Sequence, residues 1–212
     1  CWYTLCNKSI MKIINDDCMN IIPKYEDNYF DLAIVDPPYG LPKNSVTGSG
    51  KLKDRIFFQM NEKGWDIKPP KKYFDELFRV SKNQIIFGGN YFDLPSYRCV
   101  LVWDKHQPFE NFSAVEIAWT SLKKPSAIYK FDNKVRNKIH PTQKPTQLYS
   151  WILEKYAQPT YKILDTHLGS GSSYIAAHYF GIKEFVGIEI DKEYFNNAKK
   201  RIKKETKQLK LI

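Results

Sequence analysis

One stretch of eight residues constrains the fold more than any other, and it reads Ala33-Ile34-Val35-Asp36-Pro37-Pro38-Tyr39-Gly40. Its apolar start has the length and the Ile/Val content of a strand buried on both faces. In open parallel sheets ligands bind at the carboxyl ends of the strands, where the acid, the prolines and the ring would then lie. Each proline fixes its own backbone and removes a donor, so nearby carbonyls stay free to accept hydrogen bonds. The stretch therefore suits a planar group that carries an amine, and the alternative is a surface turn that contains two prolines.

Short apolar runs that alternate with helical patterns predict a mainly parallel α/β sheet. The strand candidates are seven: 11–14, 31–35, 84–87, 98–103, 115–120, 162–164 and 185–190. The helix candidates are a single turn at 19–24, a helix that Pro69-Pro70 opens and that runs through Val80, and longer helices at 146–156, 172–180 and after Asp191, which would cap the last one. Residues 41–64 read as a long mobile loop, and 121–139 read as basic and irregular. No linker divides the chain, so residues 1–212 are predicted to form a single domain.

A glycine-rich turn after another buried strand is the second informative stretch, Asp165-Thr166-His167-Leu168-Gly169-Ser170-Gly171-Ser172. Its glycines let backbone amides approach a ligand closely, and the helix that follows adds partial positive charge at its amino terminus. The next strand ends at Glu189, which is placed to accept hydrogen bonds from both ribose hydroxyls of an adenosine-containing ligand. A dinucleotide fingerprint does not fit because Tyr174 replaces its third glycine. A Walker-type loop does not fit because Ser172 follows Gly171.

Amino-acid composition limits the classes of binding partner and the cellular compartment. The formal net charge of +10 over 212 residues, together with 15% aromatic residues, favours nucleic acid as the partner, with a membrane surface second. The four cysteines, Cys1, Cys6, Cys18 and Cys99, form no Cys-x-x-Cys pair, which argues against a zinc site or a disulfide framework and favours a reducing, cytoplasmic environment. No apolar run is long enough for a transmembrane helix, and the start of the chain does not read as a signal peptide.

With these motifs in place, the chain resembles the amino-group DNA methyltransferases that use S-adenosylmethionine. The residues 36–39 resemble their catalytic motif, and 165–171 resemble their cofactor loop, usually written Asp-Pro-Phe-x-Gly-Ser-Gly, from which Thr166 and His167 depart. The run His140-Pro141-Thr142-Gln143-Lys144-Pro145 is similar to the motif that precedes the cofactor strand. Because the catalytic motif comes first, the order resembles the circularly permuted beta group. The resemblance implies a Rossmann-like methyltransferase fold, circularly permuted, with a mainly parallel seven-stranded sheet and helices on both faces.

The resemblance also implies a role for each motif. Asp36 and the carbonyl of Pro37 would accept the hydrogens of the target amine, and Tyr39 would stack on a flipped base, with Pro38 completing the catalytic group. Thr142 and Lys144 could contact the methionine end of the cofactor. No metal is implied, since the sulfonium carries the reactivity. The predicted cofactor-binding residues are Asp17, which would meet the adenine, Cys18, Asp36, His140, Thr142, Gln143, Lys144, Asp165, Thr166, His167, Gly169, Ser170, Gly171, Ser172, Glu189 and Ile190.

Double-stranded DNA is the partner that the resemblance implies. In the 41–64 loop, Lys43, Lys51, Lys53 and Arg55 would make sequence-independent phosphate contacts. The segment 121–139 is a short candidate for target recognition, and the lysines of 199–210 are expected on a solvated helix face. The run 88–91 either lines the base pocket or only turns the chain. Dimers are frequent in the resembling group, so a homodimer is a further candidate partner, and a cognate restriction enzyme is another.

The predicted activity is site-specific transfer of a methyl group to the N6 amine of adenine in DNA. Methylation of cytosine N4 is the near alternative, although that branch more often has serine at the position of Asp36. A non-catalytic nucleic-acid-binding protein on the same fold is the alternative from another class, and RNA or a protein glutamine are further amine substrates of such motifs.

Overall fold

The structure is a computed structural model that describes residues 9–41, 66–107, 113–132, 139–140 and 142–207. Its elements run β1 (Ile10–Asn15), α1 (Cys18–Ile21), β2 (Leu32–Val35), α2 (Lys71–Val80), β3 (Gln84–Phe87), β4 (Cys99–Asp104), β5 (Val115–Thr120), β6 (Ala127–Lys130), α3 (Thr146–Tyr156), β7 (Lys162–Asp165), α4 (Ser172–Phe180), β8 (Glu184–Glu189) and α5 (Lys192–Thr206). Short 3₁₀ turns follow α1 at Ile22–Lys24 and β3 at Gly89–Tyr91.

The strands form one sheet in the order β1-β8-β7-β2-β3-β5-β4-β6. Every neighbouring pair is parallel except those that involve β5, which runs antiparallel to β3 and to β4. A mainly parallel α/β sheet is therefore confirmed. The described chain has eight strands rather than the predicted seven, because β6 lies inside the segment that was read as irregular.

Helices cover both faces of the sheet, as predicted. The alternation of side chains along β2 shows this, since Leu32 and Ile34 pack with α3 and α4, whereas Ala33 and Val35 pack with α1 and α2. All four β2 residues are buried, which explains why their sequence is apolar without alternation.

The helix boundaries follow the capping residues in the sequence. Pro70 precedes α2 and Pro145 precedes α3, in extended conformations that a proline favours. The Asp191 carboxylate accepts hydrogen bonds from the amides of Glu193 and Tyr194 at 2.8 and 2.9 Å, so it caps α5 as expected. No described helix is long and apolar enough to cross a membrane.

The carboxyl ends of four adjacent parallel strands, β1, β8, β7 and β2, lie side by side along one end of the sheet. Asp17, Glu189, Asp165 and Asp36 stand at or just after these ends. Because β5 runs the opposite way, the residues at its beginning reach the same edge. The chain thus gathers acids from distant parts of its sequence at one place. The predicted phosphate contacts Lys43, Lys51, Lys53 and Arg55 lie outside the described residues.

Candidate active site

The catalytic motif leaves β2 with its carboxylate held by a lysine. The Asp36 Oδ2 atom lies 2.5 Å from Lys144 Nζ, and its Oδ1 atom accepts a hydrogen bond from the Tyr39 hydroxyl at 2.8 Å. Among the described residues, the carbonyl of Pro37 accepts no backbone hydrogen bond. The motif thus offers the free carbonyl and the oriented acid that its sequence predicts.

A second carboxylate, Glu116 on β5, contacts the same two donors. Its Oε1 atom lies 2.6 Å from Lys144 Nζ and 3.0 Å from the Tyr39 hydroxyl, and its Oε2 atom lies 3.1 Å from Lys105 Nζ. The four side chains are largely buried, with exposed fractions of 5% for Lys144, 15% for Glu116 and 16% each for Asp36 and Lys105. Two carboxylates and two ammonium groups therefore form a charge-balanced network that includes Asp36 of the catalytic motif.

The two carboxylates of this network respond differently to their surroundings. Burial raises the pKa of Asp36, and repulsion by Glu116 acts in the same direction while Lys144 opposes it. Burial also disfavours the charge on Glu116, but Lys144 and Lys105 together lower its pKa to about 2. The pKa of Lys144 is raised because both carboxylates outweigh the effect of burial. Glu116 is thus the firmly ionised partner, and Asp36 is the carboxylate whose charge is easier to modulate.

The ring of Tyr39 packs in an aromatic cluster beside this network. It stacks on Tyr91 with ring centroids 4.9 Å apart and meets Phe92 edge to face at 6.2 Å. Gly88 allows this packing because it has φ of +66° and a Cβ there would come within 2.2 Å of the Tyr39 ring. The run 88–91 therefore both turns the chain and supports the ring that was predicted to stack on a base.

The residues that follow the catalytic motif are tied to Asp66. The Asp66 carboxylate accepts hydrogen bonds from the amides of Gly40 and Leu41 at 3.0 and 3.1 Å. Gly40 has φ of +66°, and its site for a Cβ is 2.8 Å from Lys68. Gly40 and Leu41 are thereby held to Asp66 beside Tyr39.

A pocket lies next to the catalytic motif at the same sheet edge, and its walls are Asp17, Cys18, Thr166, His167, Glu189 and Ile190. All six belong to the residues predicted to bind the cofactor. Ile190 leaves 63% of its surface exposed, and burial raises the pKa of the Cys18 thiol to about 12, so both present apolar, uncharged surface. A carboxylate beside apolar walls is the combination that a ribose and a purine ring require, so these residues fit the adenosine part of S-adenosylmethionine.

The acids around the pocket are oriented by backbone amides. Glu189 accepts hydrogen bonds from Gly169 N at 2.8 Å and from Asp191 N at 2.9 Å, and burial raises its pKa. Asp165 accepts from His167 N at 3.0 Å and from the Ser173 hydroxyl at 2.5 Å, and burial raises its pKa to about 7. Asp17 accepts from Met19 N at 2.8 Å as the cap of α1. Each carboxylate oxygen has a second lone pair, so these bonds leave capacity for a ligand.

A chain of hydrogen bonds fixes how His167 faces the pocket. Tyr73 Oη lies 2.6 Å from Thr166 Oγ1, which lies 2.9 Å from His167 Nδ1. If the Tyr73 hydroxyl donates to Thr166, its one hydrogen-bond partner among the described residues, the Thr166 hydroxyl is left to donate to Nδ1. Burial lowers the pKa of His167 to about 4, and the neutral ring therefore carries its proton on Nε2. Thr166 and His167, which depart from the family motif, thus act as a pair.

The glycine-rich loop is clamped by Arg201 of α5. Its guanidinium donates to Ser170 O and Ser170 Oγ at 3.1 Å each, to Ser172 Oγ at 2.9 Å and to Thr146 Oγ1 at 3.1 Å. Gly171, with φ of +77°, allows α5 to approach, because a Cβ there would come within 2.9 Å of Ile202. The lysines near Arg201 are exposed as predicted, whereas Arg201 itself is not on the solvated face.

Residues of the motif 140–145 contact both the glycine-rich loop and the catalytic motif. The His140 ring packs edge to face on Tyr194 at 4.3 Å, and its Nδ1 contacts Thr142 Oγ1 at 3.1 Å. Gln143 is buried and accepts a hydrogen bond from Ile139 N at 3.0 Å. Lys144 uses its carbonyl to accept from Ser172 Oγ at 2.8 Å and its ammonium to reach Asp36. One residue thereby joins the cofactor loop to the catalytic carboxylate.

Comparisons with known proteins show which proteins the chain is similar to. The DNA methylase family model N6_N4_Mtase matches residues 97–200. The chain is 24% identical over 239 residues to the Type II methyltransferase M.HpaI of Haemophilus parainfluenzae, covering 92% of this chain and 74% of the relative. It is also 24% identical over 252 residues to the Type II methyltransferase M2.DpnII of Streptococcus pneumoniae, covering 94% and 92%. The match over residues 97–200 and the likeness to both relatives support an amino-group DNA methyltransferase.

Solved structures show that this methyltransferase shares its fold with others. The crystal structure of the M1.HpyAVI–SAM complex superposes with a TM-score of 0.59 at 21% identity, covering 90% of this chain and 98% of the other. The PvuII DNA methyltransferase, described as cytosine-N4-specific, superposes with a TM-score of 0.61 at 12% identity, covering 92% and 91%. The chain therefore shares its fold with an enzyme described as cytosine-N4-specific, and the fold alone does not distinguish an adenine from a cytosine target.

Three residues of this methyltransferase were missed by the sequence analysis, namely Lys105, Glu116 and Arg201. A signal existed for Glu116, since it is the single charged residue in the strand Val115–Thr120. Its contact with the catalytic motif depends on the direction of β5, which the strand's own sequence does not reveal. Arg201 was hidden in a run of lysines that is otherwise exposed.

Proposed function

We propose that this protein transfers a methyl group from S-adenosylmethionine to the exocyclic N6 amine of an adenine flipped out of double-stranded DNA, at a specific sequence. The observation that carries the proposal is the position of Asp36, a carboxylate that follows β2 at the sheet end where Glu189 and Ile190 line the pocket. Cytosine-N4 enzymes that the motif resembles more often have serine at this position, so the carboxylate favours adenine.

The cofactor would lie in the pocket with its ribose on Glu189 and its purine against Ile190, Asp17 and His167. When bound, it supplies a methyl group on a positive sulfonium, whose bonding electron pair stays on sulfur as the amine nitrogen bonds to the methyl carbon. His140 and Thr142 flank the glycine-rich loop and would close the pocket on the side of α5.

The residues of the catalytic motif act on the amine. Its lone pair is delocalised into the purine ring, so the nitrogen must become tetrahedral and positive during transfer. Asp36 and the carbonyl of Pro37 would accept its two hydrogens, and these bonds strengthen as the positive charge develops. One of the two protons must leave the product, and Asp36, which would already accept one of these hydrogens, would receive it and pass it to solvent. Tyr39, supported by Tyr91, would stack on the base that has left the duplex.

Double-stranded DNA as the substrate is supported by the family and by the net charge of +10. The segment 121–139, which includes β6, is our candidate for target recognition, and the loop 41–64 is our candidate for phosphate contacts. Cytosine N4 is the second candidate target, because the PvuII enzyme places cytosine-N4 specificity on a similar fold.

The test is to express the protein in a host that lacks DNA methylation, digest the DNA to nucleosides and identify the modified base by mass spectrometry. We expect N6-methyl-2′-deoxyadenosine, and its absence in a matched culture that expresses Asp36→Ala. Recovery of N4-methyl-2′-deoxycytidine would show that the target is cytosine N4 rather than adenine N6. Unmodified DNA in both cultures would contradict the proposed function. Long-read sequencing of the same DNA gives the recognition sequence.

A further inference from the structure

Glu116 is a second acceptor for both groups that hold the catalytic carboxylate. Lys144 Nζ lies 2.5 Å from Asp36 and 2.6 Å from Glu116, and the Tyr39 hydroxyl lies 2.8 Å and 3.0 Å from the same two residues. The Tyr39 hydroxyl has one proton, so it can donate to only one carboxylate at a time. Each donor is therefore shared between two nearly equivalent acceptors.

This sharing solves a problem that the catalytic motif would otherwise have. In the structure both oxygens of Asp36 already accept a strong hydrogen bond. Each oxygen keeps a second lone pair for an incoming amine, but a bond already accepted from Lys144 or Tyr39 withdraws charge from that oxygen and makes it a weaker acceptor. If Glu116 were absent, Lys144 would have Asp36 as its only carboxylate among the described residues, and a buried charge that loses its partner is strongly disfavoured.

Glu116 has its own anchor, so it can hold the donors without moving. Its Oε2 atom pairs with Lys105 at 3.1 Å, and Lys105 follows β4, the neighbour of β5 in the sheet. The charges of the four groups sum to zero, and they remain balanced whichever carboxylate holds Lys144. Lys144 and Tyr39 already lie within hydrogen-bond distance of Glu116, so both hydrogen bonds can shift from Asp36 to Glu116 without a change in net charge.

We propose that Glu116 is a positioning residue for methyl transfer: it takes over the hydrogen bonds of Lys144 and Tyr39 and so frees Asp36 to accept the target amine. This inference rests on the proposed function, because it assigns to Asp36 the role given there. Glu116 acts through Lys144 and Tyr39 and needs no contact with the base or the cofactor.

The test compares wild type with Glu116→Gln and Glu116→Asp. The glutamine keeps the shape but cannot balance Lys144, so we expect kcat to fall about 10- to 100-fold, while KM for S-adenosylmethionine changes by less than about twofold. The aspartate keeps the charge on a shorter side chain, and its kcat should lie between the other two. Asp31→Asn is the matched control, since Asp31 is a partly buried carboxylate that pairs with Lys82 at the opposite end of β2, and its kcat should equal that of wild type.

A titration that needs no methyl transfer separates this inference from the proposed function. The carboxyl carbon of Asp36 is followed by ¹³C NMR in wild type and in Glu116→Gln, with Asp36→Asn for assignment. Charged or titratable groups that act on Asp36 are Tyr39, Tyr73, Glu116, Lys144, Tyr149 and Asp165. Removing the Glu116 charge should lower the pKa of Asp36, because Lys144 then pairs with Asp36 alone.

The acid limb of the pH–rate profile should move to lower pH in the same variant. A loss of kcat with an unchanged Asp36 titration would mean structural damage and would overturn the inference, and so would a wild-type kcat in Glu116→Gln. If wild type itself methylates no DNA, the proposed function fails, and the titration still decides whether Glu116 controls Asp36.

Discussion

The ammonium of Lys144 lies 2.5 Å from the Asp36 carboxylate, although 108 residues separate the two along the chain. The same lysine accepts a hydrogen bond from Ser172 of the glycine-rich loop through its backbone carbonyl. The catalytic motif and the cofactor loop are therefore joined by one buried residue. This connection is the basis of the first prediction.

Lys144→Met should lower stability and change the pH dependence of activity. Two buried carboxylates would be left without their shared cation, at a cost of about 3–5 kcal/mol in the free energy of unfolding. Since Lys144 lowers the pKa of Asp36, its removal should raise that pKa and move the acid limb of kcat to higher pH, the opposite of Glu116→Gln. Urea unfolding and a pH–rate profile measure both effects.

Lys82→Met is the control for Lys144→Met, because Lys82 pairs with Asp31 at the surface. Such exposed pairs contribute at most about 1 kcal/mol. Equal losses of stability in the two variants would count against the buried network.

Asp165→Asn should stabilise the protein increasingly as pH rises from about 4 to 7. Burial raises the pKa of Asp165 from 3.8 to about 7, so the folded protein retains this proton where the unfolded chain has lost it. That contribution to stability is complete below the unfolded pKa and is lost as pH rises to the folded pKa. The asparagine does not ionise, so its advantage over wild type should grow by a few kcal/mol across this range.

Denaturant unfolding at several pH values checks the Asp165 prediction. In Asp31→Asn the trend should be absent or reversed, since Lys82 outweighs burial and lowers the pKa of Asp31. A constant difference between Asp165→Asn and wild type would show that Asp165 ionises normally in the folded protein.

Arg201→Gln should weaken the binding of S-adenosylmethionine by about tenfold, or about 1.4 kcal/mol. The guanidinium holds Ser170 and Ser172 against α3 and α5, and a looser loop would have to be ordered by the ligand. Isothermal titration calorimetry measures the affinity. Lys200→Gln, an exposed neighbour on α5, should bind like wild type. Unchanged affinity in Arg201→Gln would mean that the loop holds its shape without the clamp.

His167 should be neutral at pH 7 and carry its proton on Nε2. The two hydroxyls of Tyr73 and Thr166 leave Nδ1 as an acceptor, and burial lowers the ring's pKa to about 4. Imidazole ¹⁵N shifts report the tautomer directly. Thr166→Val removes the hydroxyl that contacts Nδ1, so the ring should populate both neutral tautomers. A wild-type ring protonated on Nδ1, or one that titrates near pH 6.5, would contradict this assignment.

The positions of Asp36, Asp165 and Glu189 could be predicted from the sequence because each follows an apolar run, and parallel strands end at a common edge. The partners of Asp36 could not be predicted in this way. Glu116 reaches the site only because β5 is antiparallel, and strand direction depends on the packing of the whole sheet. The strand β6 was missed because Ala127–Lys130 is short, lies at the edge of the sheet and alternates between half-buried and exposed side chains.

Transfer of tritiated methyl groups from S-adenosylmethionine to unmethylated DNA by wild type and Asp36→Ala tests the central claim most directly. Calorimetry of cofactor binding to the same two preparations accompanies it. We expect cofactor binding to change little and transfer to fall by about a hundredfold or more, because the positive charge on the amine loses its carboxylate. Substantial transfer by an Asp36→Ala variant that binds the cofactor normally would contradict the account.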